Sequence, residues 1–123
     1  MILGLGTDIA DMRRMENIVR KHASHFLERL LTPREIAESE DCISYIAGRW
    51  AAKEALSKAL GCGIGAKCSF TDIEILRDPL SGRPVLILSG GARKTADSLG
   101  VENAFLSISH EKHYAVATVI LEG

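Results

Sequence analysis

Between Gly48 and Gly61 the chain reads GRWAAKEALSKALG, a run of strong helix formers bounded by glycine. At about 100° per residue, Gly48, Ala51, Ala52, Ala55, Leu56, Ala59 and Leu60 cover one broad side. Most of these side chains are small, so another backbone can pack close to that side. Few folds satisfy such a requirement. The spacing predicts a helix from about Ser44 to Leu60 with Gly61 as its C-cap. Lys53, Glu54, Ser57 and Lys58 share the opposite arc with Trp50.

A second feature of this kind lies at the amino end. Residues 2–9 read as a strand, with Leu3, Leu5, Thr7 and Ile9 on one face. Ile2, Gly4, Gly6 and Asp8 fall on the other, so Asp8 projects from a face that two glycines have cleared. Asp11 is placed to cap a helix of about ten residues with a stripe of Met12, Met15, Ile18, Val19 and His22. A short helix over Ser24–Leu31 follows. TPRE then starts a third, with Thr32 as N-cap, Pro33 at the first position and Glu35 completing a capping box.

The second half changes period. FTDIEILR alternates as a half-exposed strand, DPLSGRP is a turn, VLILS a strand and GARKTADSLG a helix. AFLSISH and HYAVATVIL form a hairpin. The expected fold is α+β, one domain over residues 1–123, with a small mainly antiparallel sheet packed with helices.

Bulk properties exclude several functions. A formal net charge of -1 gives no global attraction for nucleic acid. No apolar run is long enough to cross a bilayer, and MILGLGTDIA lacks the basic start of a signal peptide. Cys42, Cys62 and Cys68 are odd in number and irregularly spaced, which favours free thiols in a reducing cytosol.

Taken singly, the charged positions are ordinary. Glu54 and Lys58 form an i,i+4 pair of the kind that stabilises a helix surface by about 0.2–0.5 kcal/mol. Asp8 alone is most simply a turn-maker or a helix cap. Taken together, two carboxylates from different elements suit Mg²⁺, a hard cation that keeps open positions for substrate phosphate. GCGIG offers a backbone that can approach a phosphate as an anion nest. It is not a Walker loop, because no GKS or GKT follows.

The blocks GLGTDIADMRRME, FLERLLTPRE, YIAGRWAAKEALSKALGCGIG, TDIEILRDPLSGRPVL and LSISHEKHYAVATVILE occur in this order over nearly the whole chain. Together they closely resemble the small bacterial 4'-phosphopantetheinyl transferases, the holo-acyl-carrier-protein synthase family. That resemblance implies transfer of phosphopantetheine from coenzyme A to a serine of an acyl carrier protein, with release of adenosine 3',5'-bisphosphate, in support of fatty acid biosynthesis. It implies Asp8 and Glu54 as Mg²⁺ ligands and, with Lys58 near the phosphates, as the catalytic set. Glu54, or a water on the ion, is then the base for the serine. Coenzyme A contacts are implied at Arg49, Ser57, Lys58, Gly61, Arg83, Pro84, Ser109 and His110. A homotrimer is implied, with sites between subunits reached by SGRP and SISH, and a cytoplasmic location without membrane or nucleic acid. Arg13, Arg14, Arg20 and Lys21 suit docking of an acidic carrier.

Two positions depart from the family pattern. Phe105 stands where many relatives carry histidine, and Cys62 where many carry threonine. Two other readings remain at this point. One is a binding module that keeps the scaffold without catalysis. The other is a structural α+β oligomer with incidental charges.

Overall fold

In the computed structural model, which describes Met1–Gly123, the chain runs β1 (Ile2–Asp11), α1 (Met12–Leu30), α2 (Pro33–Ser39) and α3 (Ile43–Leu60). A 3-10 turn (Phe70–Asp72) then leads to β2 (Ile73–Arg77), β3 (Pro84–Leu88), α4 (Gly90–Ser98), β4 (Asn103–His110) and β5 (Tyr114–Glu122). β1, β5 and β4 form an antiparallel sheet in that order; β2 and β3 form a separate hairpin. The α+β expectation holds, with the antiparallel pairing divided between two sheets.

α3 crosses the inner face of the three-stranded sheet, and the two constraining sequence features meet there. A Cβ built on Gly6 would overlap the Ala55 carbonyl, and one on Gly4 the Ala59 carbonyl. Glycines on the strand and alanines on the helix thus let two backbones touch. Ala51, Ala55 and Leu56 are fully buried under this contact. The helix ends where expected, at Gly61 in the left-handed region (φ 79°).

The supposed charged arc of α3 is corrected by its surroundings. Lys53 and Ser57 are 0% exposed and Arg49 is 6% exposed, because α1, α2 and β2 cover that side. The Lys53 Nζ lies 2.6 Å from both Glu35 Oε1 and the Leu30 carbonyl. Burial pulls Lys53 below the usual lysine range, and the charge of Glu35 opposes that pull. Glu35 also accepts from the amides of Thr32 (2.9 Å) and Ile75 (3.0 Å). The TPRE capping box therefore forms as read, but its glutamate is also a buried anchor tying α1, α2, α3 and β2.

The two helices expected after Asp11 are one helix, α1, kinked at His22 (φ -134°, ψ 23°). Asp11 caps it through the amides of Arg13 and Arg14. Met12 and Met15 are buried as expected, whereas His22 is exposed at the kink and leaves the stripe. FTD forms a 3-10 turn rather than the start of a strand.

The face of β1 carrying Leu3, Leu5, Thr7 and Ile9 is the outer one. Leu5 is 65% exposed, Ile9 60% and Phe105 54%, with Tyr114 and Val116 exposed beside them. Cross-strand pairing aligns Leu5, Ile120 and Phe105 in one row. The accessible surface is 7073 Å², against about 6,500 Å² for a monomer of this mass. The excess matches a sheet whose outer face has no cover within the chain.

Candidate functional site

The β1–α3 crossing builds the first cluster. Asp8 lies two residues beyond Gly6 on the same strand face, so the close contact delivers its carboxylate to α3. Lys58 Nζ is 2.9 Å from Asp8 Oδ1 and donates to the Thr7 carbonyl at 3.1 Å. Lys58 therefore pairs across to the strand, not with Glu54 one turn earlier as the i,i+4 spacing suggested. Glu54 is half-buried and makes no side-chain hydrogen bond or ion pair. Burial, then the nearby charge of Asp8, hold its carboxyl above the usual range, with Lys58 opposing. Ser57 is buried and donates its hydroxyl to the Glu54 carbonyl at 2.7 Å.

A half-buried carboxylate whose proton affinity a second carboxylate helps to raise forms a site that a divalent cation would relieve. No third His, Cys, Asp or Glu joins them in a metal-ligating group, which leaves positions for water and substrate oxygen. Asp8 and Glu54 thus suit Mg²⁺ by donor type and by electrostatics.

The GCGIG loop does not present its early amides as an anion nest. Gly61 N–H bonds to the Lys58 carbonyl, and Cys62 and Gly63 N–H to the Ser57 carbonyl. Gly65 N–H bonds to Cys68. Closing the end of α3 takes up the first three donors, and a bridge to Cys68 the fourth.

A second cluster lies at the other edge of the sheet, by β4. A cavity of about 230 Å³ there is lined by Tyr45, Arg49, Arg77, Pro84, Ile108 and His110, among others. It gathers three of the expected coenzyme A contacts, Arg49, Pro84 and His110. Arg83 lines a neighbouring cleft of about 510 Å³ between β3 and β4, together with Phe105. Ser109 is exposed at the end of β4, and Gly61 sits by the first cluster at the end of α3. Arg13, Arg14, Arg20 and Lys21 are all exposed on α1. Arg13 is tied to Asp11 at 3.4 Å and Arg20 to Asn17.

Sequence reasoning missed the group around Tyr45. Its hydroxyl donates to Glu38 at 2.8 Å, while the guanidinium carbons of Arg49 and Arg77 lie 3.9 and 5.2 Å from its ring centroid. The signal was weak: Glu38 and Arg77 are distant in the chain and meet only when α2 packs on β2.

A glycine-cleared strand against an alanine-rich helix, with an acid pair and a lysine at the crossing, defines a small α+β protein equipped for polyphosphate chemistry. The profile of the 4'-phosphopantetheinyl transferase superfamily matches residues 4–119, and the chain belongs to that superfamily. It is 50% identical over 125 residues to a holo-[acyl-carrier-protein] synthase of Vibrio cholerae, covering 99% of this chain and 98% of that one. The crystal structure of the Neisseria meningitidis holo-[acyl-carrier-protein] synthase superposes with TM-score 0.91 at 36% identity, covering 100% of both chains. The Helicobacter pylori enzyme in complex with coenzyme A gives TM-score 0.87 at 40% identity, over 96% of this chain and 99% of that one.

Proposed function

We propose that this chain transfers 4'-phosphopantetheine from coenzyme A to a serine of an apo acyl carrier protein, releasing adenosine 3',5'-bisphosphate. The observation that carries this reading is the meeting of Asp8, Glu54 and Lys58 at the β1–α3 crossing. Asp8 and Glu54 hold Mg²⁺, which supplies neutralising charge to the diphosphate when bound. Lys58, half-exposed on a stem of four methylenes, turns its ammonium from Asp8 to the phosphate oxygens. Glu54 has no competing protein partner and takes the serine proton.

The two clusters support a site shared between subunits. Arg49 and Lys58 are separated by nine residues of α3, about 14 Å along its axis. The 3'-phosphate and the diphosphate of coenzyme A are only one ribose apart, so one chain cannot offer both clusters to one molecule. A head-to-tail contact joining the β4 edge of one copy to the β1 edge of the next closes as a ring. The exposed apolar face that carries Leu5, Ile9, Phe105 and Val116 supplies its interface, and the family resemblance makes the ring a homotrimer. Light scattering is expected to give about three chain masses of 13.3 kDa; a stable monomer at working concentration would refute the shared site.

The carrier docks on α1, whose exposed cations follow β1, the strand that carries Asp8. Arg14→Glu combined with Lys21→Glu is expected to raise KM for the carrier at least tenfold and to leave KM for coenzyme A unchanged. Equal effects on the two substrates would remove α1 from docking. Three unpaired cysteines support a reading in which the reaction runs in the reducing cytoplasm and supplies carrier for fatty acid synthesis.

Intact-mass spectrometry of an apo acyl carrier protein tests the function itself. A gain of one phosphopantetheine is expected with coenzyme A and Mg²⁺. No gain on several carriers would favour a binding module.

A further inference from the structure

We propose that the cavity between α1 and α3 binds an amphipathic monocarboxylate, a small molecule with an apolar tail and a single carboxylate group. The site belongs to the free protein and does not depend on the transfer reaction.

The cavity has a volume of about 350 Å³. Ile18, Phe26 and Leu30 of α1 meet Trp50 of α3 and Phe70 of the 3-10 turn there. The Trp50 ring stacks on Phe26 with centroids 6.0 Å apart and tilts against Phe70 at 5.0 Å. All three rings are half-buried and pack against the small core of Leu27, Leu30, Leu31, Tyr45 and Ile46. That core fixes them in place, yet each keeps part of its area open at a concave wall. An apolar tail can cover that area without rearranging the protein. The volume falls in the range of about 300–1,000 Å³ in which pockets enclose small ligands.

The polar part of the lining has one character. His22, His25 and Arg29 face the cavity from α1, three and four residues apart as helix neighbours are. All three are exposed, and none is tied up by a side-chain hydrogen bond or an ion pair within the chain. No carboxylate lines the cavity. Arg29 is the one permanent cation, and its planar fork matches the two oxygens of a carboxylate. The imidazole rings add N–H donors beside it. A single unopposed charge next to an aromatic floor suits a monoanion with a tail. A bare anion would leave the rings uncovered, and a tailed cation would meet Arg29 with like charge.

Trp50 is the only tryptophan of the chain, so its emission reports on the cavity directly. Titration of the full-length protein with decanoate, followed by that emission, is expected to saturate at one ligand per chain. Acetate, which lacks the tail, is expected to leave the emission unchanged. Decyltrimethylammonium, with a tail of similar length on a cation, is expected to bind about tenfold more weakly. Arg29→Glu is expected to weaken decanoate about tenfold, because one exposed ion pair is lost and a like-charge contact is gained. Arg29→Lys is expected to keep most of the affinity. Both variants are expected to melt with the wild type, since the Arg29 side chain bonds to nothing in the chain. Equal binding of the two tailed ions, or wild-type affinity for decanoate in Arg29→Glu, would overturn the proposal. An emission change with an apo acyl carrier protein and none with decanoate would give the cavity to a side chain of the carrier and overturn it as well.

Discussion

Glu54→Gln is expected to lower the turnover number for phosphopantetheine transfer about 10³-fold, within the 10²–10⁴ range for loss of a general base. The amide keeps the size and helix propensity of glutamate but can neither accept the serine proton nor add negative charge beside Asp8. The fold has no reason to suffer, because the Glu54 side chain bonds to nothing in the protein. Its stability changes in a definite direction. Burial and Asp8 raise the folded pKa of Glu54 above its ordinary 4.5, so at neutral pH the ionised carboxylate destabilises the folded state. Without divalent ions, Glu54→Gln is therefore expected to melt at or above the wild-type temperature at pH 7. That margin shrinks as pH falls through the raised folded pKa and is absent below the unfolded one. Normal turnover in the variant would remove Glu54 from the mechanism. A melting temperature several degrees below wild type at pH 7 would mean that the side chain has a structural partner.

The largest effect on stability is expected at Lys53. Lys53→Met keeps most of the side-chain volume but leaves the Glu35 carboxylate buried without its cation. Breaking a buried pair in this way costs about 3–5 kcal/mol. For a chain of this length the melting temperature is expected to fall on the order of 10–20 °C. The double variant Lys53→Met, Glu35→Gln recovers most of the loss, because the uncompensated charge is gone and the amide oxygen still serves one of the Thr32 and Ile75 N–H groups. A full apolar replacement, Lys53→Met with Glu35→Leu, recovers less, since both amides lose their acceptor. A single variant that melts within 2–3 °C of wild type would show that water reaches the pair and that the anchor is not buried.

Lys53 and Lys58 mark how far the sequence can be read. Small residues on one helix side, and glycines on one strand face, were legible because each requires a close neighbour, and here each is the other's neighbour. Asp8 and Glu54 were legible as candidates because they sit on separate elements flanking that contact. The partner of Lys58 was not, because helix spacing gives only the local choice, Glu54, while the strand that brings Asp8 arrives from fifty residues away. The burial of Lys53 was likewise hidden. Its partner belongs to a capping box whose local chemistry is complete without it, and only the packing of α2 against α3 turns that glutamate inward. The exposure of the outer face of β1 was hidden too, because alternation records which side is apolar, not which side the rest of the chain covers.

Titration of Mn²⁺, a hard oxygen-seeking stand-in for Mg²⁺, bears most directly on the central claim that Asp8 and Glu54 grip one divalent ion together. Free ion is followed by its electron paramagnetic resonance signal, with coenzyme A present throughout. The account expects one ion per chain in the wild type and at least tenfold weaker binding in both Asp8→Asn and Glu54→Gln. Wild-type affinity in either variant would contradict it.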